Sequence, residues 1–75
     1  MAESTAEPMV RIELNGEPRD VPEGTTIEAL VTLAGTSGKR YAVEVNGEIC
    51  PRAEHASAVA ADGDRVEIVQ AIGGG

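Results

Sequence analysis

The sequence contains no Phe and no Trp, and its only aromatic residue is Tyr41. Any core must therefore be assembled from Val, Ile, Leu and Ala, which leaves little material for a large apolar ligand pocket. It has one cysteine, Cys50, so an internal disulfide is excluded and a reducing compartment is the expected setting. It has one histidine, His55, and no cluster of His and Cys at metal-ligand spacing, so neither a zinc site nor a histidine-based catalytic group is foreseen. Cations are scarce as well, with 6 Lys and Arg against 13 Asp and Glu, a net charge of −7. That balance repels phosphate backbones and anionic lipid, so no nucleic acid and no membrane partner is expected, and a basic protein surface would be steered towards it. Long apolar runs are missing too. No stretch has the length of a signal segment or a membrane span, and the expected location is cytoplasmic.

What is present reads as one small domain. At 75 residues the chain has room for a single core of modest stability. The opening MAESTAEP is small, polar and without periodicity, and residues 1–8 are expected to be a disordered extension. VRIELNG then alternates, with Val10, Ile12 and Leu14 on one face, which predicts a half-buried strand. Asn15-Gly16 predicts a tight reversal into EPRDV, where Pro18 argues for a sheet edge. TTIEALVTLAG reads as a helix with Thr25 as N-cap, Glu28 completing a capping box, Ile27, Leu30 and Val31 on the buried face, and Gly35 as the stop. GTSGKR is a loop; it lacks the spacing and the hydroxyl of a phosphate-binding loop. YAVEV predicts a third strand turning at Asn46-Gly47, with a stub stopped by Pro51. AEHASAVAADGD has weak helical character, on which His55 is expected to face solvent. Asp62-Gly63-Asp64 turns into RVEIV, the last strand, with Val66 and Ile68 inward. Hairpin, helix and further strands make a two-layer α+β domain over residues 9–70.

No grouping of side chains resembles an active site, so the protein is not expected to be an enzyme. Cys50 interrupts an apolar stub and reads as a small packed residue rather than a reactive thiol. The remaining candidate is the segment 71–75, which ends Gly73-Gly74-Gly75. Such a tail is either incidental or valuable for being thin and chemically terminal. Extended, residues 71–75 reach about 17 Å, enough to enter another protein's active site. Glycines lack Cβ and pass a narrow channel. A carboxylate is a poor acyl donor, so chemistry at Gly75 would require ATP to form an acyl-adenylate, from which a sulfur nucleophile displaces AMP. The cationic and magnesium groups for that step would belong to the partner.

VEVNGEICPR and DGDRVEIVQAIGGG together resemble the ThiS family of sulfur carriers in thiamine biosynthesis, over roughly residues 9–75. Asn46-Gly47-Glu48, Pro51-Arg52, Asp62-Gly63-Asp64, Val66-Glu67 and Gly74-Gly75 carry the similarity. The resemblance implies a β-grasp, ubiquitin-like fold: a mixed sheet on one main helix, with the first and last strands central and parallel. It implies that Gly75, with Gly74 before it, is adenylated by a ThiF-like E1 enzyme using ATP and Mg, with no cofactor bound to the carrier itself. The resulting thiocarboxylate would take sulfur originating from a cysteine desulfurase and give it to thiazole synthase, ThiG. On such a sheet Arg11, Glu13, Glu44, Arg65, Glu67 and Val69 share the outward face. Val69, Ile72, Glu67 and Arg65 are the candidate docking residues beside the tail. The alternatives are a carrier for another sulfur pathway, of the molybdopterin synthase small-subunit or cysteine synthesis type, or a ubiquitin-like protein modifier. The absence of proline before the glycines argues against the molybdopterin branch.

Overall fold

The computed structural model describes residues 8–36, 38 and 40–70. Strand β1 (Met9–Leu14) turns into β2 (Glu17–Pro22), followed by helix α1 (Ile27–Leu33), β3 (Tyr41–Val45), the short β4 (Glu48–Ile49), a single 3-10 turn (Arg52–Glu54) and β5 (Arg65–Gln70). The strands form one sheet in the order β2-β1-β5-β3-β4. β1 and β5 are parallel, with Glu13 beside Arg65 and Leu14 beside Val66, and every other pairing is antiparallel. This is the mixed sheet on one helix that was expected, and Pro18 does lie on an edge strand, where its missing N–H costs the ladder nothing.

Both hairpins turn because Asn and Gly accept the left-handed backbone. Asn15 and Gly16 have φ of 52° and 86°, and Asn46 and Gly47 have 54° and 84°. The core lies between the sheet and α1. Ile12, Leu14, Val21, Val43, Val66 and Ile68 from the strands meet Ile27, Leu30 and Val31 from the helix. Aliphatic side chains alone close this core, with Leu30 and Val66 wholly removed from solvent.

Four local expectations are corrected. The helix N-cap is Thr26, whose side chain accepts from Ala29 N at 3.1 Å, rather than Thr25. The Thr25 hydroxyl instead donates to Pro22 O at 2.6 Å, holding the bend that leads into the helix. Glu28 makes no capping box; its N–H donates to His55 O, and Ile27 N–H donates to Ala58 O. Two orphan donors of the first helical turn are thus satisfied by the 55–58 segment and a third by Thr26. The AEHASAVAADGD stretch holds only the end of one 3-10 turn and no α-helix. His55 does not face solvent: it is 5% exposed.

Candidate functional site

The site is built around β5, the strand that leads to residues 71–75. Its base is held on both sides. Towards β3, Ala42 pairs with Val69 and Tyr41 with Gln70, so the ladder persists to the end of the strand. Towards β1 the parallel ladder has only two register pairs, because β1 ends at Leu14 while β5 runs on. Asn15 extends it: its N–H donates to Val66 O at 2.9 Å, and its Oδ1 accepts from Ile68 N at 2.8 Å. At the other end of β5, Asn46 Oδ1 accepts from Arg65 N while Asn46 N donates to Arg65 O. Asp64 accepts from Asn46 Nδ2 and from Ala61 N. Both turn asparagines therefore serve as side-chain partners of the last strand.

Alternation along β5 separates its two faces. Val66 and Ile68 are buried under α1, whereas Arg65, Glu67 and Val69 point away, as read from the sequence. Val69 is 57% exposed and lies directly across from Ala42. Glu67 lies across from Glu44, a like-charge pair that favours an incoming cation. Arg65 is engaged by Glu13 at 3.5 Å. Val69, Glu67 and Arg65 are thus on one face as anticipated; Ile72, Gly74 and Gly75 lie outside the described residues.

On the other face, at the level of Gln70, is a cluster that sequence reading missed. The His55 ring stacks on Tyr41 with centroids 5.8 Å apart, and the Arg52 guanidinium lies 4.7 Å from the Tyr41 ring centre. His55 Nε2 faces the Cys50 carbonyl at 2.9 Å, so that nitrogen carries the proton and donates. Among the described residues its Nδ1 has no partner. The Cys50 thiol is pushed up by burial and, secondarily, by Glu54, the opposite of what a nucleophilic thiolate needs. Among the described residues no group of three or more His, Cys, Asp or Glu side chains could hold a metal ion, and no helix is long and apolar enough to cross a membrane.

A model of the ThiS family matches residues 12–75. A crystal structure of the thiamine biosynthesis protein ThiS from Geobacter metallireducens superposes with a TM-score of 0.73 at 29% identity, covering 88% of this chain and all of that one. A thiazole synthase of Paramagnetospirillum magneticum is 41% identical over 66 residues, which are 88% of this chain and 20% of that protein. The chain thus spans about a fifth of the length of the thiazole synthases it matches. The uncharacterized protein ycf40 of Porphyra purpurea is 32% identical over 88% of this chain and 93% of its own length.

Proposed function

Since this chain belongs to the ThiS family, small sulfur carriers rather than catalysts, we propose that it carries sulfur for thiamine biosynthesis on the carboxyl of Gly75. The observation that carries this reading is the family match, which continues through Gly74 and Gly75 to residue 75, on a chain whose last strand is central in the sheet. Docking of the body beside the end of β5 would bring residues 71–75 to the partner.

The chemistry then divides between two proteins. A ThiF-type partner binds ATP and Mg, and the Gly75 carboxylate attacks the α-phosphate, releasing pyrophosphate and leaving an acyl-adenylate. A desulfurase draws sulfur from cysteine as a persulfide, a thiol reductant releases it as hydrosulfide while itself becoming a disulfide, and that hydrosulfide attacks the acyl carbon. A C–S bond forms as the C–O bond to AMP breaks, AMP leaves with the electron pair, and a thiocarboxylate remains. The acceptor is thiazole synthase. This is supported by relatives bearing that name, in which a segment similar to this chain makes up a fifth of the polypeptide. The carrier's own contribution is positional, since its only thiol, Cys50, is held away from thiolate character by burial.

The test is pyrophosphate exchange into ATP catalysed by a ThiF-type enzyme with the purified chain as substrate. Exchange should depend on the chain and vanish when Gly74 and Gly75 are deleted, with the melting temperature unchanged. Exchange that survives the deletion would refute the assignment.

A further inference from the structure

The cations of this acidic protein are not spread evenly. Arg11 is tied to Asp20 at 2.8 Å and Arg65 to Glu13 at 3.5 Å, both on the sheet. Arg52 is held differently. It is exposed, and its guanidinium is fixed by the Tyr41 ring at 4.7 Å rather than by a carboxylate. Among the described residues no carboxylate lies within ion-pair distance of Arg52 or of Arg40, the exposed residue before Tyr41. The ring orients the guanidinium without using its in-plane N–H donors, which stay available for a bidentate partner. His55 fixes the ring in turn by stacking on it.

The location matters as much as the chemistry. Tyr41 is the cross-strand partner of Gln70, the last described residue before the tail. Arg52 therefore lies at the tail's exit, on the helix side of the sheet, while Val69 marks the same exit on the outer side. An extended segment of residues 71–75 carries the reacting carboxyl about 17 Å further on. At that distance Arg52 does not reach the nucleotide, and a group that meets it belongs to the mouth of the partner's active site.

We infer that Arg52, held over Tyr41, is a docking anchor for a carboxylate at the rim of the enzyme that activates Gly75. This rests on the activation proposed above. A protein of net charge −7 is repelled by an acidic surface unless it presents a cationic end, so Arg52 also fixes which end of the carrier approaches. Being exposed at the rim, the contact acts on association and not on the chemical step.

The test compares Arg52→Glu, Arg52→Met and Arg19→Glu in the adenylation assay with wild-type carrier alongside. Met keeps an apolar stem for the Tyr41 ring, so it separates lost packing from lost charge. Arg19 is exposed on the far edge strand β2 and undergoes the same charge reversal. Arg52→Glu should raise the KM for carrier about tenfold or more with kcat unchanged, the equivalent of about 1.4 kcal/mol per decade. Arg52→Met should give a smaller rise, flatten the dependence of KM on salt, and keep the wild-type melting temperature. Arg19→Glu should leave KM within about twofold, as expected for a charge away from the contact. An unchanged KM for Arg52→Glu overturns the inference, and so does an equal loss in Arg19→Glu, which would mean undirected steering. A fall in kcat with altered KM for ATP overturns it in favour of a nucleotide contact. Failure of the wild-type carrier to be adenylated at all would strike the proposed function instead.

Discussion

At the scale of single residues, the chemistry of this chain is set by what each titratable group is denied. Cys50 packs against the core, and burial first, then Glu54, pushes its thiol up. Alkylation of native Cys50 by iodoacetamide near neutral pH should therefore run severalfold slower than that of glutathione, and speed up on unfolding in urea; a native rate at or above that of glutathione would contradict the packed role. Asp20 shows the reverse effect: its hydrogen bond from Arg11 holds the carboxyl below the usual range, so whatever the pair contributes is present at neutral pH and fades on acidification. The packed role of Cys50 was legible in the sequence, because the residue falls among apolar neighbours. The burial of His55 was not. Nearby Glu54 and Ser57 are polar, and its burial arises from Tyr41 and the Cys50 carbonyl, partners that only the folded chain brings to it.

At the scale of elements, periodicity carried the strands and the helix, and turn chemistry carried both hairpins, since only residues tolerant of positive φ fit there. What alternation does not reveal is a side chain substituting for backbone. Asn15 reads as a turn residue, yet its Oδ1 also caps Ile68 N where β1 has run out. Asn15→Ala should lose that hydrogen bond, worth about 1 kcal/mol, and strain the left-handed backbone by about 1 kcal/mol more. For a domain of this size the sum corresponds to a fall in Tm of about 10 °C. Asn15→Gly relieves the strain but not the lost bond, and should fall about half as far. Equal losses in the two variants would show that the backbone conformation contributes nothing. The helix cap was misplaced by one residue for a similar reason: two adjacent threonines are equivalent in a pattern, and the carbonyl of Pro22 decides between them. On the outer face, Val69 is exposed across from Ala42 beside the tail. Val69→Glu should slow adenylation by the partner enzyme about tenfold without changing Tm, because it removes an apolar contact and adds a third carboxylate next to Glu44 and Glu67. A wild-type rate for that variant would remove Val69 from the interface.

At the scale of the whole molecule, the proposed function reads the protein as a compact body that delivers a chain end. The mixed sheet puts β5 between β1 and β3, so the strand leading to residues 71–75 is paired on both sides, with Val66 and Ile68 under the helix and Asn15 and Asn46 bonded to its backbone. The fold was legible because aliphatic alternation, two Asn-Gly turns and one short helix fit few other topologies. The cluster of Tyr41, Arg52 and His55 was not, because it joins two segments separated by a hairpin. The most direct measurement is the intact mass of the chain after incubation with ATP, a ThiF-type enzyme and a sulfur source. The account predicts a mass gain equal to the difference between sulfur and oxygen, located at Gly75 by fragmentation. An unchanged mass under conditions where the same enzyme loads its own carrier, or a gain located at Cys50, would contradict it.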